Sequence, residues 1–318
     1  MKILYATPNS TDAMAFYRGS LPLSQMGIDY TISKQISWSE LKRHDLVFVQ
    51  RPHSEDQLEL VKMAKKWGLP VVVDFDDWLC DLPRANPAHH VFEGTRETFF
   101  EVMKLADGIM TATDHLANKC KEHNPNVVVV PNAYDSKLFS YAAKWKERTK
   151  VVLWRGGNSH LEDLMNVKED HDRLIKENPD WLFVFVAQDP WWLKPAENLK
   201  HIGGLGIIEF MQSIYDMAPA IMHHPLTDCD FNRSKSMCSW LEATHARAAF
   251  VGPDFEEFKR PGIVNYSSLY ESISELINNT EKIGKCIDES TKYIHENLTL
   301  KIVNKKRLEF FNAIVNNR

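Results

Sequence analysis

Two successive series of short β-branched runs, each run followed by a helical pattern, constrain this chain more than any other feature. The first series reads "KILYA", "DLVFVQ", "PVVVDF", "GIMTA" and "NVVVVPN", with helical patterns at about 13–26, 54–67, 94–106 and 114–123. Runs that stay apolar at consecutive positions belong to strands covered on both faces, and such strands form parallel sheets. "SEDQLELVKMAKKWG" shows how a helix is framed locally: Ser54 caps it, acids fill its first turn, lysines its last, and Gly68 stops it. This makes one doubly wound unit ending near residue 135. The pattern then restarts with "KVVLWRGG", followed by "WLFVFVA", "LKHIGG", "PAIMHHP" and "AAFVGP". "SKLFSYAAKWKERTK" joins the halves as a charged, helical segment, and beyond Pro261 the chain reads as helix through about 267–297 and 299–316. The expectation is α/β, with two doubly wound halves, a helical tail, and a ligand cleft facing the carboxyl ends of both sets of strands.

Composition narrows the function classes. At 318 residues, with net charge -5 and pI near 6.2, the chain suits two domains and has no global basic field for nucleic acid or anionic lipid. No apolar run approaches the ~18 residues of a membrane span, and Met1–Ala6 reads as a first strand rather than a signal peptide. Five scattered cysteines without a CxxC pair argue against a disulfide framework or a zinc knuckle and for a reducing cytoplasm.

Two stretches suit an anion. In "FNRSKSMCSWLEATHARAAFV", a helix starting at Asn232 to Ser234 places its free amides and positive dipole end at Ser234, Lys235 and Ser236. Glu242, seven residues past Lys235, then lies about 10 Å along the same face, where a carboxylate accepts from ribose hydroxyls. In "LWRGGNSH", a strand ends at Arg155, Gly156 and Gly157 let the backbone approach a ligand, and Asn158 and Ser159 cap the next helix. The plain alternative for both is a capped surface helix or a strand–turn–helix corner. "GGLG", residues 203–206, reads as a turn whose backbone lines a base pocket through Gly204 and Leu205.

In order along the chain, "VVVVPNAYDSKLF", "KVVLWRGGNSHLEDL", "LKHIGGLGIIEFMQSIYDMAPAIMHHPL" and "FNRSKSMCSWLEATHARAAFVG" resemble the motifs of family four retaining glycosyltransferases of GT-B fold. The resemblance implies two Rossmann-like domains: an acceptor domain over 1–140, a nucleotide-sugar domain over 141–298, and a helix over 299–318 that returns to the first domain. It implies transfer of a sugar to an acceptor hydroxyl with retention, UDP-glucose as the default donor, and no required cofactor. Two departures stand out. Ser234 occupies the place of the first acid of the family's paired-Glu motif, with Glu242 at the second. His160 stands where a Lys is common.

The resemblance makes Arg155 the phosphate-binding arginine, and Lys235, at the Ser-rich stretch, is expected to replace the missing lysine, so that the two together neutralise the leaving diphosphate. Gly156, Gly157, His160, Gly204, Leu205, Asn232, Ser234, Ser236 and Glu242 are placed on the donor. Tyr17, Arg18 and Asp74 fall at the acceptor side of the cleft, and Asp76 and Asp77 join the candidate catalytic set. Taken as residues alone, Asp74, Asp76 and Asp77 also allow a divalent ion; the resemblance implies none, since side chains and a helix end stabilise the leaving group instead. His89-His90 and His223-His224 read as structural pairs. "YRGSLPL", "DFDDWLCDLP" and "FNRSKS" are most similar to phage-encoded members, which makes a hydroxymethylated DNA base the leading acceptor, extruded into the cleft. Arg43, Arg51, Arg84, Arg96, Lys301, Lys305, Lys306 and Arg307 are the cations available to such DNA. A glycan acceptor, a non-catalytic nucleotide-sugar binding module, and a phosphorylase or epimerase on the same scaffold remain the alternatives. No membrane insertion is expected, and the oligomeric state is open.

Overall fold

A computed structural model of the chain describes residues 1–7, 9, 12–34, 36–135 and 149–317. The expected linking helix falls almost wholly on 136–148, outside the described residues; its last two positions, Thr149 and Lys150, open a strand.

Each half carries a six-stranded, all-parallel sheet. The first contains β1 (Lys2–Ala6), β2 (Asp29–Ser33), β3 (Leu46–Gln50), β4 (Val71–Phe75), β5 (Gly108–Thr111) and β6 (Val127–Val129), in the order β2-β1-β3-β4-β5-β6. The second contains β7 (Thr149–Gly156), β8 (Leu182–Ala187), β9 (Leu199–Ile202), β10 (Pro219–His223), β11 (Ala249–Pro253) and β12 (Ile263–Tyr266), in the order β12-β11-β10-β7-β8-β9. The central strands β3, β4, β5, β10 and β11 are buried at every position, as apolar runs covered on both faces must be. The edge strands β2 and β12 are only partly buried and carry polar residues, so neither shows as an apolar run in the sequence. The stretch after Pro261 therefore contains a strand before its helices begin at Leu269.

Local signals hold where they are strong. The helix Glu55–Lys66 starts with Ser54 and Gln57 exchanging side-chain and backbone bonds, and Gly68 beyond it adopts φ +69°. The segment expected as one helix at 13–26 is broken. Ala13–Ala15 leads into a π turn over Phe16–Ser20 before Leu21–Ser24 resumes the α form. Gly19 makes this path possible, because a Cβ there would lie 2.0 Å from the Tyr5 ring.

The tail helix, Leu300–Asn316, lies on the first sheet. Its entry is fixed at Tyr134, whose backbone donates to Leu298 O and accepts from Leu300 N, both at 2.8 Å. Leu300, Val303, Phe311 and Ile314 pack with Ile3, Tyr5, Phe48, Val72 and Met110. Asn304 and Arg307 share that buried face, and Asn304 donates to Pro22 O at 3.0 Å. The face is rotated from the Leu300, Val303, Leu308, Phe311 and Val315 stripe expected from apolar spacing. Among the described residues no helix is long and apolar enough to cross a membrane, and all five cysteines are unpaired.

Candidate active site

The two sheets meet with their carboxyl ends toward one another, and the side chains there form three ion-paired groups. In the first, Arg18 and Asp74 are fully buried and bidentate: Nε donates to Oδ2 at 3.0 Å and Nη2 to Oδ1 at 2.5 Å. Nη1 of Arg18 also donates to Val130 O at 2.5 Å and Asn132 Oδ1 at 3.3 Å. In the second, Arg51 leaves the end of β3 with φ +44° and grips Asp76 through both Nε and Nη2, with Nη2 reaching Asp77 at 3.1 Å. Burial works against the Asp76 charge, but the Arg51 guanidinium overrides it and holds the carboxyl below its usual range. Each of the three acids thus has a cationic partner within this chain. Arg51, expected among the DNA-facing cations, belongs to the cleft.

The third group lies on the second domain. Arg155 Nε donates to Glu242 Oε2 at 2.5 Å, and the Tyr17 hydroxyl, from the first domain, donates to Glu242 Oε1 at 3.1 Å. Burial pushes the Glu242 carboxyl up, while Arg155 and Tyr17 pull it back. Burial likewise opposes the Arg155 charge, yet Glu242 holds the guanidinium above its usual value, so the two stand as an ion pair. Around them is a pocket of about 170 Å³ lined by Ala13, Met14 and Tyr17 from one domain and Arg155, Gly156, Gly157, Ala187, Leu205, Phe210 and Glu242 from the other. Ala187 lies at φ +74°, a strained conformation of the kind that clusters at functional sites. A roomier depression of about 600 Å³ sits at the amino ends of β7 and β8, away from all three groups, and open parallel sheets bind at their carboxyl ends.

The helix that carries Glu242 starts later than expected. Asp230–Arg233 is a separate short helix closed by Ser234, and the next runs from Cys238 to Ala246. Ser234 ends the first helix because its backbone N–H and its hydroxyl both return to Asp230 O. Ser234 and Lys235 therefore lie in the connection, not at a helix mouth, so no single helix carries Lys235 and Glu242 on one face about 10 Å apart; Glu242 stands about 6 Å past the first residue of its own helix. Ser234 is fully buried. Asn232 is committed to Asp163 Oδ1 at 2.8 Å and Thr227 O at 2.9 Å. Ser236 accepts from Asn132 Nδ2 at 2.8 Å. Lys235 pairs across the cleft with Asp77 at 3.3 Å, so Arg155 and Lys235 sit in separate ion pairs.

His160 is buried, with Nδ1 2.9 Å from Asp163 Oδ2 and its ring 4.8 Å from that of His224. Burial first, then Lys235 and Arg155, holds His160 neutral well below the usual histidine range. Gly156 is needed where it stands, since a Cβ would meet the Trp154 ring at 2.7 Å. Gly157 is open to solvent, as are Gly204 and Leu205 in the turn before the Ile207–Met217 helix. Among the cations considered for DNA, Arg307 is buried and Arg96 is paired with Asp81.

Residue patterns did not reveal Asn132, Phe210 or the strained Ala187. Asn132 alone had a signal, its place in "VVVVPN" just before the domain crossover. Its amide joins Arg18 to Ser236 and to Cys238 Sγ, the latter at 2.9 Å.

No family model matches the chain, nor does any curated protein sequence. Among solved structures, HepE of Anabaena in complex with UDP-glucose superposes with a TM-score of 0.70 at 13% identity, covering 98% of this chain and 100% of that one. Sucrose-phosphate synthase of Thermosynechococcus elongatus gives 0.68 at 9% identity, covering 100% of each chain. A UDP-GlcNAc 2-epimerase of Neisseria meningitidis, bound to UDP-GlcNAc, gives 0.57 at 13% identity, covering 98% and 99%. The likeness is one of architecture, and the chain has the GT-B fold, two parallel α/β sheets facing across a cleft.

Proposed function

We propose that this protein is a nucleotide-sugar-dependent glycosyltransferase. The observation that carries the reading is the interdomain pocket in which Arg155 and Glu242, at the carboxyl end of the second sheet, face Tyr17 of the first domain. Open α/β sheets bind their ligands at the carboxyl ends of the strands, which is where this pocket lies. Glu242 accepts from ribose hydroxyls, Arg155 and Lys235 neutralise the departing diphosphate, and Gly156, Gly157 and Leu205 border the nucleotide. The chemistry is electrostatic: fixed cations stabilise the charge that develops on the leaving group while the acceptor hydroxyl is held in place. Residues 1–140 serve as the acceptor domain, 141–298 as the donor domain and 299–318 as the brace. Asp74, Asp76 and Asp77, held by Arg18, Arg51 and Lys235, shape the acceptor side and need no metal in this reading.

UDP-glucose is the proposed donor, supported by the HepE complex with that molecule. Retention and a hydroxymethylated DNA base as acceptor rest on the family and phage resemblance of the sequence. A non-catalytic nucleotide-sugar binder is the second reading, favoured by Ser234, which puts a buried hydroxyl bonded to Asp230 O where the family carries an acid. The test is UDP release from UDP-glucose with hydroxymethylated DNA, plain DNA and glycan acceptors in turn, with the anomeric configuration of any product read by NMR. Release that depends on one acceptor supports the transferase. Binding of UDP-glucose without release in any arm supports the binder.

A further inference from the structure

Two of the three side chains proposed to anchor the donor, Glu242 and Lys235, are already engaged by a residue of the opposite domain. The Glu242 carboxylate, read as the ribose ligand, accepts from the phenol of Tyr17 at 3.1 Å. The Lys235 ammonium, read as a diphosphate ligand, sits 3.3 Å from the Asp77 carboxylate. In both cases the first-domain group has the chemistry of the donor fragment it faces: a neutral hydroxyl on a carboxylate, and an oxyanion on an ammonium. The pocket around Glu242, at about 170 Å³, is below the roughly 300–1,000 Å³ of ordinary small-ligand sites.

We infer that the first domain mimics the donor, Tyr17 holding the ribose position on Glu242 and Asp77 the phosphate position on Lys235, so that these two residues set donor affinity by competition. The inference rests on the proposed donor site. It explains an otherwise odd pairing, a first-domain tyrosine buried against a second-domain glutamate that already has its arginine.

The surroundings fit an exchange of partners. Tyr17 sits in the π turn, a form frequent at functional positions, and its neighbours on the C-terminal side are pinned. Arg18 is tied to Asp74 by two bonds, and Gly19 lies against the Tyr5 ring. The backbone is therefore fixed, and the phenol leaves Glu242 by side-chain rotation or by separation of the domains. Asp77 keeps a cation when Lys235 leaves, because Arg51 Nη2 remains 3.1 Å away. Glu242 likewise keeps Arg155 throughout. No charge is left unpaired at any stage.

The test is calorimetric titration of UDP into the full-length protein and into Tyr17→Phe, Asp77→Asn and the double variant. Each single variant is expected to lower the Kd for UDP roughly 2- to 10-fold, the net worth of one hydrogen bond or one partly buried ion contact, and the double variant by about the product. If the parent binds UDP and both single variants bind it no better or more weakly, the competition is wrong and the two residues support the site instead. If no protein of the set binds UDP at millimolar concentration, the donor-site reading itself falls, and the inference with it.

Discussion

Asn132 of the first domain donates to Ser236 Oγ at 2.8 Å, directly ahead of the helix that carries Glu242, while its carbonyl oxygen accepts from Arg18 at 3.3 Å. One buried amide thus ties the Arg18–Asp74 pair to the second domain. Removing it leaves one buried Arg18 N–H without its acceptor and takes the donor from half-buried Ser236, at a cost of about 1–3 kcal/mol. Asn132→Ala should therefore lower the midpoint of chemical denaturation and weaken UDP binding together. Unchanged values for both would show that the bridge is incidental.

Lys235→Ala takes a full charge from the departing diphosphate and is expected to reduce turnover by about 10²-fold, as losing one preorganised stabilising group does. Activity within a few-fold of the parent would remove Lys235 from the diphosphate site. Glu242→Gln keeps the shape of a buried side chain but loses its pairing with Arg155. Since ribose contacts are made equally in the ground and transition states, its effect should appear in donor affinity more than in turnover. Steady-state kinetics over a donor series separates the two.

The histidines of the second domain give a pH signature. His171 is fully buried between Phe185 and His223, and neither of its ring nitrogens has a hydrogen-bond partner among the described residues. Burial lowers its pKa to about 4. Between the unfolded value near 6.5 and that point the unfolded chain binds the extra proton, so stability falls as pH falls, by up to about 1.4 kcal/mol per pH unit. His171→Leu removes this contribution. The variant should lose less stability than the parent between pH 6.5 and 4.5 in parallel urea titrations; equal acid sensitivity would mean that His171 is not held neutral.

Deleting residues 299–318 uncovers the apolar face of the first sheet that meets Leu300, Val303, Phe311 and Ile314. The deletion also removes Arg307, a fully buried guanidinium whose pKa falls to about 9 through burial first and then the nearby Arg18 charge. Every proposed donor contact survives the truncation. Loss of solubility or of turnover is expected, and a soluble, fully active truncation would make the tail dispensable.

The alternation of buried runs and amphipathic helices was legible from residue order alone, because strands covered on both faces must be apolar at consecutive positions. So were the capped start of the Glu55–Lys66 helix and its glycine stop, which depend on bonds within a few residues. The edge strands β2 and β12 were hidden, since half-buried strands need no apolar run. Arg155, Lys235 and Glu242 could be singled out as types in the right order, yet their partners could not. Lys235 meets Asp77 across 158 positions of chain and Tyr17 meets Glu242 across 225, and no local pattern encodes such pairings. The same limit explains Arg51 and Arg307. As letters they are exposed cations, and only the packing of β3 against Asp76 and of the tail helix against the first sheet turns one into a cleft residue and buries the other.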